Sequence, residues 1–148
     1  MLDTTIINSS IVNLDLTSVK RKLLSEGLFS NKSDLDEAEE EYKLFLQLCK
    51  LYPQESLGIS EKADKFWHYH ILDTKKYMID CDTIFGHYLH HNPNLLEGSD
   101  ELNEIALNTE KIKHSLSSTK YVGCARLAQS KYVGCARLAD YVGCARVA

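Results

Sequence analysis

The sequence is poor in the features that would place it in a membrane or on nucleic acid. Charged residues interrupt every long apolar run, so no stretch supplies the roughly 20 residues that a spanning helix needs. Ile6-Ile7 and Ile11-Val12 are too short for the apolar core of a secretory signal, and the first basic residue is Lys20. The expected compartment is therefore the cytoplasm, where thiols stay reduced. The zinc spacings HExxH and CxxC are missing. Strand signals are nearly absent before residue 119. Positive charge is scarce outside the end of the chain. From Lys120 onward there are five basic side chains and one acid, a net of +4, whereas the rest carries 12 basic and 20 acidic groups, a net of −8. An acidic body argues against nucleic acid as its partner, and it lets the basic tail lie against it.

What is present is helical pattern. A chain of 148 residues has room for one domain with a modest core. Residues 1–13 show no clear period. Asp15 or Thr17 is placed to cap a helix carrying Val19, Leu23 and Leu24, with Gly27 as its stop. Ser33, with Asp36 three residues on, reads as a capping-box variant. The helix it opens carries Leu35, Ala38, Tyr42, Phe45, Cys49 and Tyr52 as one stripe and ends at Pro53. Ser60 should cap a third helix through about Ile71, and Asp73 or Thr74 a fourth stopped by Gly86. Ser99 or Asp100 should open a last helix with Leu102, Ile105, Ala106, Thr109, Ile112 and Leu116 in register. The expectation is an all-α fold, a small bundle of about five helices over 1–118, followed by a flexible or hairpin-like tail over 119–148.

Chemistry concentrates between Asp64 and Pro93, which hold the single tryptophan, Trp67, and five of the six histidines. His68 and His70 point about 200° apart on one helix, so they cannot aim at the same ion, whereas Asp64 and His68 share a face. Asp64 and His68, joined by an imidazole from the loop holding His87, His90 and His91, would suit zinc, iron or copper. His70, near its helix end, belongs to the same candidate set. The competing reading is that His68 and His70 hydrogen-bond buried carbonyls or tyrosines and fix a turn between helices. Phe66 and Trp67 read as core, and Tyr77 and Cys81 as packing on one apolar face. A Cys–His nucleophile pair has neither a specified partner nor an oxyanion hole.

The tail carries three copies of Tyr-Val-Gly-Cys-Ala-Arg, at 121–126, 132–137 and 141–146. Their cysteines, Cys124, Cys135 and Cys144, lie eleven and then nine residues apart. Units this short cannot stack as a solenoid, whose repeats need about 20–50 residues. Tyr-Val favours strands, so a short hairpin is the alternative to a flexible tail. Each cysteine sits between Gly and Ala with an arginine two residues later, a cation that lowers a thiol's pKa. Three such thiols could bind a soft ion, or each copy could be read as one unit by a modifying enzyme. The bland alternative is a recent duplication. The copies agree in six residues while the spacers between them differ, which favours a unit that is read.

Several of these residues resemble the glycine-rich domain-containing protein-like family. They are Tyr42…Phe45-Leu46…Tyr52-Pro53, Asp64…Trp67-His68-Tyr69-His70-Ile71-Leu72-Asp73-Thr74, Tyr77…Asp80-Cys81…Phe85-Gly86 and His91…Pro93. That resemblance implies a helical domain and no settled activity. The clean threefold tail departs from it and resembles precursors of ribosomally made, post-translationally modified peptides, which string core copies after a leader. Read so, the body is a folded leader. The copies are cores altered at Cys124, Cys135 and Cys144 or at Tyr121, Tyr132 and Tyr141, by a modifying enzyme and a processing protease, and the product is released for export. The alternatives are a metal-dependent enzyme that acts on its own tail, with iron or copper as cofactor, and a plain interaction module.

Overall fold

The computed structural model describes residues 8–92 and 98–116 with their side chains, and Ser117 and 132–136 as backbone. Among these residues the chain forms six helices and two short strands: α1 (Ser9–Val12), α2 (Thr17–Ser25), α3 (Lys32–Leu51), β1 (Leu57–Ser60), α4 (Glu61–Leu72), α5 (Thr74–Phe85), α6 (Asp100–Ser117) and β2 (Tyr132–Ala136). The architecture is a small all-α fold with one two-stranded ribbon on its side.

The long helix α3 forms the axis of the core. Asn31 caps it, two residues before the expected Ser33, because the Asn31 side-chain oxygen takes the backbone N–H of Asp34 at 2.8 Å. The stripe Leu35, Ala38, Tyr42, Phe45 and Cys49 is buried as its spacing predicts. Leu44, Leu46 and Leu48 are buried as well, since α1, α4 and β1 also press on α3. Each large side chain so buried contributes about 1.5–3 kcal/mol of transfer free energy. At the near end, Gln47 accepts the N–H of Asn8 (3.0 Å) and donates to its carbonyl (3.2 Å), tying α1, which the sequence left unassigned, to α3. Gly27, at φ 70°, ends α2 in the left-handed region, where the Leu28 N–H reaches back to the carbonyl of Leu23.

Two helices then build the chemistry-bearing side. Ser60 caps α4, as expected, by accepting from the N–H of Ala63, and its hydroxyl donates to Oε2 of buried Glu41 on α3 at 2.9 Å. That double use fixes the start of α4 against the core. Asp73 separates α4 from α5, and Gly86, at φ 72°, stops α5. Ser99 begins α6, taking the N–H of Leu102.

The strand β1 corrects the sequence reading, whereas strand structure at Tyr-Val in the tail was among its expectations. Leu57–Ser60 is a buried strand where no strand signal was visible, and it leads straight into α4. Its partner is the middle tail copy. β2 runs antiparallel to β1, with Leu57 opposite Ala136, Gly58 opposite Cys135, Ile59 opposite Gly134 and, past an irregularity, Ser60 opposite Tyr132. The described part of the tail is thus a strand added to the body. Cys124, Cys144, Tyr121 and Tyr141 lie outside the described residues, as does any pairing of one copy with another.

Candidate functional site

The loop after α5 is held by a chain of hydrogen bonds that starts in the core. Trp67, fully buried on α4, donates from Nε1 to the hydroxyl of Tyr77 on α5 at 2.9 Å. The Tyr77 hydroxyl in turn donates to the carbonyl of Leu89, itself buried. With Leu89 pinned, His91 lies flat on Trp67, ring centres 4.0 Å apart and planes 16° from parallel. His68 stacks on His91 as well, at 4.8 Å and 30°.

Asp64 closes this arrangement. One carboxylate oxygen meets Nε2 of His91 at 2.6 Å, and the other meets Nδ1 of His68 at 3.2 Å, one helical turn along α4. The three potential ligand atoms lie within 4.8 Å of one another. Burial works to raise the pKa of Asp64. The hydrogen bonds and positive charge of the two imidazoles outweigh it, so the carboxyl lies below its ordinary value. The hydrogen bond that His68 donates to Asp64 raises the pKa of His68 against the opposing effect of its own partial burial. His68 remains half-exposed, so the cluster has an open side to water.

An aspartate oxygen with two imidazole nitrogens and an open face is the donor set of three-ligand zinc sites and of non-haem iron sites. The donor types and their convergence fit such an ion. The outer shell fits less well. A ligating histidine usually donates its second ring N–H to a carbonyl or carboxylate. The Nδ1 of His91 is buried and has no hydrogen-bond partner among the described residues.

His70, on the opposite face of α4, belongs to a different arrangement. It is buried, with Nδ1 at 2.8 Å from the hydroxyl of Tyr42 and Nε2 at 2.7 Å from Oδ2 of Asp80. Lys76 completes the charge balance at Asp80 from 2.9 Å. Burial lowers the pKa of His70, opposed by Asp80, so the ring is neutral, accepting at Nδ1 and donating at Nε2. The structure therefore joins Asp64, His68 and His91 and leaves out the other three candidates. His70 faces the core. His87 is exposed in a shallow depression beside Met78, Ile79 and Asp82. His90 packs on Tyr88, ring centres 4.6 Å apart. Cys81 is buried and its thiol raised by that burial, which makes it a poor nucleophile.

Fold and site together define a small helical domain with an Asp–His–His cluster built from α4 and the loop after α5, and a paired strand just before α4. The family model described as UCP032817-like matches residues 12–116, and the chain belongs to that family. The match covers α2 through α6 and ends before the first tail copy. No curated protein and no solved structure matches the chain.

Proposed function

We propose that this protein is a precursor of a ribosomally made, modified peptide, its helical body a folded leader and its three Tyr-Val-Gly-Cys-Ala-Arg units the cores. The observation that carries this reading is the pairing of β2 with β1, which sets a tail unit against the body by main-chain contacts and keeps Cys135 at a defined register position. The family match supports the same division, because it spans the body and the copies follow it. A modifying enzyme and a processing protease are the partners this reading requires. Acidic body and basic tail favour the docked arrangement at low salt, and the tether keeps the effective concentration of the units high.

A second reading is favoured by the Asp64–His68–His91 cluster. Here the body binds a transition metal and itself alters the docked unit. β1 ends at Ser60, and Asp64 is one helical turn further on, so the accepting edge and the cluster are neighbours on one stretch of chain. Bound there, an ion would supply Lewis-acid or redox chemistry, and Asp64, His68 and His91 would hold it.

Intact mass of the purified chain, with and without added iron, copper or zinc, separates the two. An unchanged mass alone, with a change per unit on co-expression with neighbouring gene products, supports the precursor reading. A change per unit in the metal-loaded chain by itself supports self-modification. Replacing Cys124, Cys135 and Cys144 by alanine removes the added mass in both cases if the thiols are the sites. No mass change under any of these conditions overturns both.

A further inference from the structure

The two sides of β1 are satisfied in different ways. On one, the N–H of Gly58 donates to Oγ1 of Thr109 on α6 at 2.9 Å, and that hydroxyl donates to the carbonyl of Ile105 at 2.7 Å. Backbone groups alternate in direction along an antiparallel strand, so with Gly58 committed to Thr109 the groups of Leu57 and Ile59 face β2. Leu57 and Ile59 are 0% and 1% exposed, and backbone groups so deeply placed need partners. A glycine inside a strand marks close approach of another backbone, and Gly58 is the residue opposite Cys135. The edge therefore asks for an extended segment with free N–H and C=O groups, a main-chain demand with little side-chain selection.

The chain offers that segment three times, as identical Tyr-Val-Gly-Cys-Ala at 121–125, 132–136 and 141–145. We infer that β1 is a strand-accepting site for this unit as such, held by the second copy in the structure and open to the third in its place. The body then holds one unit at a time. Fourteen residues separate α6 from the second copy and 23 from the third. Closing the longer connection, treated as a flexible chain, is only about twofold less favourable. The first copy follows α6 by three residues, a tether of roughly 10 Å. A connection of three residues is short and stiff, and the flexible-chain scaling does not extend to it. The alternation is accordingly between the second and third copies. It holds whether or not the units are modified.

Hydrogen exchange at the amides of Leu57 and Ile59, followed in the full chain, tests this. Proline lacks the N–H that pairing requires, so Gly134→Pro disables the second copy and Gly143→Pro the third. In G134P both amides are expected to stay protected within about threefold of the parent, because the third copy takes over. In the double variant protection should fall at least tenfold, and the free peptide Tyr-Val-Gly-Cys-Ala-Arg added in trans should restore it. An unchanged melting temperature in the double variant shows that the body is intact. If G134P alone exposes both amides as fully as the double variant, the site belongs to one copy and the inference fails. It fails equally if the double variant keeps full protection. Protection in the parent that rises with protein concentration would assign the strand to a second copy of the chain and overturn it as well.

Discussion

The helix α4 presents two histidine–aspartate arrangements on opposite faces, and they differ in what they leave undone. His70 is closed: one ring nitrogen accepts from the Tyr42 hydroxyl, the other donates its N–H to Asp80, and Lys76 completes the set. His91 is open: Nε2 meets Asp64, Nδ1 has no described partner, and its neighbour His68 reaches water. The same residue types thus serve two ends. A saturated arrangement centred on a buried ring specifies packing between α3, α4 and α5, while an unsaturated one with an open side retains the capacity to bind.

The sharpest test of that contrast is stability. His70→Ala removes a buried ring, strands the Tyr42 hydroxyl and leaves Asp80 with Lys76 alone, so it should cost about 3 kcal/mol. His68→Ala, at a half-exposed position, should cost less than about 1 kcal/mol. Urea unfolding followed by Trp67 fluorescence measures both. Equal losses would erase the distinction between the two faces.

Metal binding comes next in size. Zinc at a hundredfold excess over its dissociation constant should stabilise the parent by about 2.7 kcal/mol. His91→Ala and Asp64→Asn should abolish that gain, while His87→Ala should keep it. Thermal melts with and without zinc, calcium serving as a hard-ion control, give the answer. A zinc effect that survives the loss of His91 would move the site elsewhere. Tyr42→Phe is smaller again. It takes one proton from the closed arrangement and leaves Nδ1 of His70 without its donor, at about 1–2 kcal/mol, with no change in zinc response.

How much of this the chain disclosed depends on sequence distance. Asp64 and His68 lie four apart on a helix, and their meeting follows from helical geometry alone. That an imidazole from the 87–91 loop would join them was readable. That it is His91 was not, because the choice is made by Tyr77 holding Leu89 and by Trp67 offering a flat face. For His70 a hydrogen bond to a buried tyrosine was one of the two readings, but not that the tyrosine is Tyr42, 28 residues away on another helix. β1 was invisible because four buried residues, one of them glycine, show neither alternation nor turn signals, and the pairing segment begins more than 70 residues later. The α3 cap slipped by two residues since both Asn31 and Ser33 are good caps, and only the Asn31 oxygen reaches the Asp34 N–H.

The smallest effect sharpens the comparison most directly. Burial depresses His70, and Asp64 elevates His68, so the two rings should titrate on opposite sides of the ordinary histidine value, about 6.5. Their contributions to stability then have opposite pH dependence. A ring whose folded pKa lies below its unfolded value contributes fully above about 6.5, and the contribution is lost as pH falls through the folded value. That is His70. A ring raised on folding contributes fully below its unfolded value, and the contribution is lost as pH rises through the folded one. That is His68. Imidazole shifts followed by NMR in the metal-free protein should therefore show His68 protonated over a pH interval in which His70 remains neutral. Acid should loosen the contact between α3 and α4 at Tyr42 before it disturbs the pair Asp64–His68. If His70 were found to titrate above His68, the Tyr42 hydroxyl would have to accept rather than donate, and the closed face would carry a buried charge.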